Sequence, residues 1–188
     1  MSLEHLGWSG WHADRLAEPL APAHILARVA VAHTDRAELL PSGTLFQSKL
    51  PSERLHTGDW VVHDGERLIQ RLPRRAILER RAVGGGGPQL VAANLDLVFI
   101  VSSMNRDFNP RRLERYLAAV HAGGATPVIV LTKADLVIGR EARFLSQIPP
   151  GVETLVTSVV LGLGIDALRA RLAPGRTVCF VGSSGAGK

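Results

Sequence analysis

The chain carries one cysteine, Cys179, in 188 residues. That excludes a disulfide framework and a cysteine metal cluster, and it fits a reducing cytosol. Aromatic residues make up only 5% of the chain, with a single tyrosine, so no row of stacking rings can be read from it. No apolar run approaches the ~20 residues needed to cross a membrane as a helix. The first residues, MSLEHLGWSGWHADRLAEPLAP, lack a basic stretch followed by an apolar one and are not read as a secretory signal. Acidic excess is also missing. Lys and Arg outnumber Asp and Glu, 22 to 17, giving a net charge of +5. This balance favours a polyanionic partner such as RNA.

What is present is concentrated at the end. Val178 to Val181 is a short apolar run of strand formers. It breaks into Gly182-Ser183-Ser184-Gly185-Ala186-Gly187-Lys188. That spacing fits G-x-x-x-x-G-K, in which glycines let backbone amides approach a phosphate and the lysine reaches the outer phosphates. Chance matching of a Gly/Ser turn is the bland alternative, and the apolar strand just before the loop argues against it. Lys188 is the candidate for phosphate stabilisation. No residue is assigned as the catalytic group.

Residues 1–22 read as an extension whose Leu6, Trp8 and Trp11 either pack on a neighbour or belong to a poorly ordered terminus. Residues 23–73 hold five short strand signals: 25–31, 38–40, 44–46, 60–62 and 67–69, with Asp64-Gly65 as a hairpin turn. Five short strands in so few residues suit an all-β barrel of the OB type, a fold that often binds RNA, although Phe46 and Trp60 are equally suited to a core. Residues 74–94 read as a basic, glycine-rich linker. The arginines Arg71, Arg74, Arg75, Arg80 and Arg81 are candidate phosphate contacts or simply a solvated surface.

From residue 95 the pattern alternates strand and helix. Apolar strands are expected at 95–101, 128–131, 153–157 and 178–181. Asn109-Pro110 opens a helix whose Leu113, Tyr116, Leu117 and Val120 share one face, and Gly123-Gly124 closes it. A weaker helix is expected over 140–148, and Ile165, Leu168 and Leu172 mark another. Residues 95–188 therefore predict a mostly parallel sheet covered on both faces.

Ligands bind such sheets beyond the carboxyl ends of the strands. Thr132-Lys133-Ala134-Asp135, Thr157-Ser158-Val159 and the glycine loop each follow a strand and should converge there. An Asp carboxylate accepts from both N1–H and the 2-amino group of guanine, whereas adenine lacks that amino group and presents a bare acceptor. Asp135 would thus reject adenine, and the Lys133 stem would cover the base. The segment from Thr132 to Asp135 resembles the guanine-reading Asn-Lys-x-Asp motif of GTPases, with Thr132 where Asn is usual, a shorter group whose contact with base or phosphate loop is expected to be weakened or lost. Ser158 resembles the serine of the GTPase Ser-Ala-x motif, whose backbone amide meets guanine O6, and Val159 stands where Ala is usual; taken alone, Ser158 is an ordinary loop serine.

Base motif before phosphate loop is a permuted order. Together with LGW, TGDWVV, LPRR, ANLDLVFIVSSMNRDFNPRRLERYL, ATPVIVLTKADL and LAPGRTVCFVGSSGAGK, the chain resembles the RsgA (YjeQ) family of circularly permuted, ribosome-dependent GTPases over most of its length. The resemblance implies an OB domain followed by a permuted P-loop GTPase domain, incomplete here. It implies GTP and GDP as ligands with Mg²⁺ accompanying GTP, and Zn²⁺ only in a C-terminal module beyond Lys188. The small ribosomal subunit and its RNA are the implied partners, with cytoplasmic location, no membrane and a monomeric chain. The residues following Lys188 in the family motif, the switch segments and the metal-holding loop lie outside residues 1–188, so this chain by itself is expected to hydrolyse no GTP and to bind it poorly. Two other readings stand beside this one: an RNA-binding module with a vestigial nucleotide site, and a P-loop ATPase or kinase in which Thr132 marks a lost guanine preference.

Overall fold

In a computed structural model, residues 2–16, 20–33, 36–40, 44–46, 54–81 and 87–188 are described. They form two compact units. The first is Met1–Leu95 with Pro174–Thr177, and the second is Asp96–Ala173 with Val178–Lys188.

The first unit begins with a 3-10 turn, Glu4–Leu6, and a short helix α1, Gly10–Ala13. Then come β1 (Ile25–Ala32), β2 (Ala37–Leu40), β3 (Thr44–Phe46), β4 (Trp60–His63) and β5 (Leu68–Arg71). They make an antiparallel sheet in the order β3-β2-β1-β4-β5. The β4–β5 turn uses the Asp64-Gly65 pair: Gly65 takes φ +100°, and Asp64 Oδ1 accepts from the amides of Glu66 (2.9 Å) and Arg67 (2.7 Å). The two faces of β1 and β4 feed two apolar clusters, as alternation requires. Ala27, Val29, Leu39, Leu55 and Val61 form one. Leu26, Trp60, Val62 and Leu72 form the other, and Leu6, Trp8 and Leu16 join it. Of the two readings of the N-terminal segment, its described part follows the first: it packs on the sheet. Trp8 meets the fully buried Trp60 edge-on at 5.0 Å.

Strands β6 (Ile77–Arg81) and β7 (Pro88–Ala93) pair as an antiparallel hairpin. They lie in the segment read as a linker. Its composition hid them: Glu79, Arg80 and Gln89 are exposed, so alternation is weak, while Leu78 and Ala93 supply the buried side. Arg74, one of the arginines read as phosphate contacts, is otherwise engaged. Its Nε and Nη2 clamp the two oxygens of the fully buried Asp59 at 2.7 and 2.8 Å. Asp59 also accepts from the His56 amide at 2.8 Å. The TGDW and LPRR segments therefore hold one another.

The second unit adds β8 (Leu97–Ser103), α2 (Pro110–Ala122), β9 (Thr126–Thr132), α3 (Ala142–Leu145), β10 (Thr154–Val156), α4 (Ile165–Arg169) and β11 (Val178–Gly182). The four strands are parallel in the order β10-β9-β8-β11. Helix α2 starts as its sequence predicts: Asn109 Oδ1 accepts from Arg112 N at 3.1 Å, with Pro110 at the first position. It buries Leu113, Leu117 and Val120. The left-handed residue that closes it is Gly124 (φ +80°), since Gly123 keeps helical angles. Helices α3 and α4 are shorter than the apolar spacing suggested, four and five residues.

Candidate functional site

The parallel register brings Ser103, Thr132, Val156 and Gly182 to one sheet edge. Each strand then hands over to a polar segment. After β11 the chain enters the glycine loop through Gly182 (φ +152°), where a Cβ would lie 2.2 Å from the Val101 carbonyl oxygen. Only glycine lets the loop leave the sheet so close to β8. Gly185 and Gly187 also take positive φ, +76° and +92°.

After β9, Lys133 adopts the left-handed conformation (φ +62°, ψ +40°) and Ala134–Leu136 forms one 3-10 turn. This geometry turns the motif toward the glycine loop. Thr132 Oγ1 donates to the Ala186 carbonyl at 2.5 Å, and Lys133 Nζ donates to the Gly185 carbonyl at 2.8 Å. At Thr132 the loop contact is present: the shorter hydroxyl reaches Ala186, which is packed down against the sheet with no exposed surface.

After β10, Ser158 is buried and its Oγ donates to Asp135 Oδ1 at 2.5 Å while accepting from the Leu161 amide at 3.2 Å. The serine thus orients the carboxylate that would read a base, and it leaves Asp135 Oδ2 without a partner among the described residues. The backbone amide of Ser158 was expected to face the base. It donates instead to the Leu163 carbonyl at 3.0 Å, in a bridge that Leu163 N returns to Ser158 O. The next amide, that of Val159, has no acceptor among the described residues, and Val159 is 86% exposed. Gly164 (φ +70°) makes the bridge possible, since a Cβ there would lie 2.1 Å from the Val156 carbonyl oxygen.

Thr132, Lys133, Asp135, Val159 and Gly187 line one cavity of about 410 Å³, whose floor is apolar and includes Val101 and Phe180. A flat base fits such a lining: apolar walls take its faces and a few polar groups read its edge. Gly182, Ser183, Ser184, Gly185 and Lys188 lie on the loop outside that cavity. Lys188 folds back, its Nζ donating to the carbonyls of Gly182 and Ser183 at 2.8 Å each.

One residue at this edge escaped the sequence reading. Asp107, in the turn between β8 and α2, accepts from Ser183 Oγ at 2.5 Å and from Arg112 Nη2 at 2.9 Å. These bonds, that from Ser183 foremost, hold its carboxyl below the usual carboxylate range. The only sequence signal was its place just before the Asn109 cap.

Residues 71–188 match the family model described as RsgA GTPase. The chain belongs to the RsgA GTPase family. Relatives each described as a small ribosomal subunit biogenesis GTPase RsgA include one from Mesorhizobium japonicum, 42% identical over 195 residues, covering all of this chain and 56% of the relative. One from Xanthomonas oryzae is 39% identical over 209 residues, covering all of this chain and 57% of that protein. The chain thus spans a little over half the length of these curated relatives. Among solved structures, YjeQ from Thermotoga maritima superposes with a TM-score of 0.67 at 23% identity, over 88% of this chain and 62% of YjeQ. YloQ, described as a circularly permuted GTPase, gives 0.63 at 22% identity, over 87% and 61%. The RsgA-family chain shares their fold.

Proposed function

We propose that this protein binds and hydrolyses GTP during maturation of the small ribosomal subunit, as a monomer in the cytoplasm, and that its first unit binds ribosomal RNA. In this reading residues 23–73 form an OB-type barrel, and residues 95–188 belong to a circularly permuted P-loop GTPase domain. Thr132, Lys133, Asp135, Ser158, Val159 and the loop Gly182 to Lys188 hold GTP or GDP. The observation that carries the reading is the direct coupling of Thr132 and Lys133 to the Ala186 and Gly185 carbonyls: the base-reading strand end and the phosphate loop form one structure. Asp135, held by Ser158, accepts from the guanine edge, and loop amides take the phosphates. Phosphoryl transfer then depends on positioning and on charge stabilisation around the transferred group. Mg²⁺ accompanies the triphosphate as part of the substrate. Among the described residues no group of three or more His, Cys, Asp or Glu is arranged to hold a metal ion, so no side chain is assigned to Mg²⁺ or Zn²⁺.

A fluorescent GDP analogue tests the reading. Binding to residues 1–188 is expected to be weak but guanine-selective: excess GDP displaces the probe, and equal ATP does not. Equal displacement by ATP, or fluorescence that excess GDP leaves unchanged, would refute it.

A further inference from the structure

A second recess lies wholly within the first unit, far along the chain from the nucleotide-site residues. It has a volume of about 520 Å³ and sits between the end of β1, the segment before β4, and strand β7. His33, Arg36, Arg54, His56 and Gln89 line it. A neighbouring hollow shares Arg54, His56 and Gln89 and adds Arg80.

Four described arginines pair with carboxylates: Arg74 with Asp59, Arg112 with Asp107, Arg169 with Asp166 and Arg171 with Glu153. Arg36 and Arg54 are not among them, and what sets them apart from other exposed arginines is that they share one recess. Both are exposed, and neither guanidinium has an anionic partner among the described residues. Arg80 donates only to the neutral Gln89 Oε1, at 3.2 Å. His56 adds an imidazole to the same wall. Burial, and then the Arg74 guanidinium, hold its imidazole below the ordinary histidine range. His56 Nδ1 lies 3.1 Å from the Arg54 carbonyl oxygen and 3.2 Å from Arg74 Nη2. Among the described residues, the one carboxylate lining the two hollows is Glu79, and it lines only the second.

Unpaired guanidiniums around a polar hollow are a site for oxyanions. Among the described residues no phenylalanine, tyrosine or tryptophan lines either hollow, so these residues offer no platform for stacking bases. We propose that this recess binds the phosphodiester backbone of single-stranded RNA, with Arg36 and Arg54 each neutralising one phosphate and the Gln89 amide donating between them. This rests on the reading of the first unit as RNA-binding and deepens it: the contact surface is not the barrel strands alone but includes the β6–β7 hairpin. Recognition there is by charge and spacing rather than by base.

The test is a salt titration of a fluorescein-labelled mixed-sequence 12-nucleotide RNA bound by the 188-residue chain. Each phosphate contact on a single strand contributes about −0.7 to the slope of log K against log [salt]. The double variant Arg36→Gln, Arg54→Gln should lose about 1.4 from that slope, which is about 25-fold in affinity at 0.1 M salt. The matched control Arg111→Gln, Arg115→Gln removes the same charge from the exposed face of α2 and should lose far less. An unchanged slope in the recess variant, or equal losses in both, overturns the recess while leaving RNA binding in place. If the unsubstituted chain binds no RNA, the RNA-binding reading itself falls and takes the recess with it. Circular dichroism of each variant excludes unfolding as the cause.

Discussion

Thr132→Val is the most informative single change at the sheet edge. It keeps shape and β-branching and deletes one hydroxyl. In the structure that hydroxyl donates to the Ala186 carbonyl, and Ala186 is fully buried. An ordinary hydrogen bond of this kind contributes about 1 kcal/mol net, and an unsatisfied buried carbonyl costs about 1–3 kcal/mol. Part of that cost is recovered if the loop loosens and takes water. The nucleotide must then restore the loop geometry at its own expense, so about 1–1.5 kcal/mol should be lost from binding, or about 5- to 12-fold in Kd for GDP. Discrimination between GDP and ADP should not move, because Thr132 touches the loop and, in the proposed reading, Asp135 is the group that reads the base. Isothermal titration with each nucleotide measures both quantities. A Kd for GDP within a factor of two of the original would refute the coupling. A collapse of GDP-over-ADP selectivity would show instead that Thr132 faces the base.

Other outcomes follow from the same geometry. Asp135→Ala should abolish guanine preference in the displacement assay while leaving thermal stability within about 1 kcal/mol, since its visible bond is a single one to Ser158. Asp59→Ala leaves the Arg74 guanidinium and the His56 amide without their acceptor. Breaking a buried pair from one side costs about 3–5 kcal/mol, which thermal denaturation should show, and a double-mutant cycle with Arg74→Met that came out additive would refute the pairing. Gly182→Ala should fail to fold or lose nucleotide binding, because its Cβ meets the backbone of Val101. His56 has a depressed folded pKa, so the unfolded chain takes a proton the folded one resists; stability of the first unit is full above about pH 6.5 and falls as the pH drops below it. Urea midpoints between pH 7.5 and 5.5 check this, with His56→Gln flattening the profile.

The phosphate loop and T-K-x-D were legible because each is contiguous and follows a strand whose apolar run is unmistakable. Their convergence followed from parallel topology alone. What could not be read are pairings between distant polar residues. Nothing in the local sequence of Asp59 says that Arg74 closes on it, or in that of Asp107 that Ser183 does. Ser158 was weighed as a loop serine or a base contact through its amide, whereas its hydroxyl positions Asp135; that depends on the height at which β10 ends beside β9. The hairpin β6–β7 was masked by its charged outer face and by Gly84 to Gly87, which composition alone marks as a linker.

Arg28 gives the chain an unusual order of assembly. This nearly buried guanidinium donates to the Leu6 carbonyl and, at 2.6 Å, to Thr177 Oγ1, a residue 149 positions away that belongs to the first unit. Gly175 N likewise bonds His5 O at 3.1 Å. The chain therefore leaves the second unit at Ala173, lends four residues to the first, and returns at Val178 to make the strand that carries the phosphate loop. A nascent chain cannot finish its first unit when residue 95 emerges; it must wait for nearly the whole second unit to be synthesised. Contacts of such sequence separation are slow to form. The last step that completes the first unit is separated by a single peptide bond from the strand that launches the glycine loop, so the two units mature together rather than in turn.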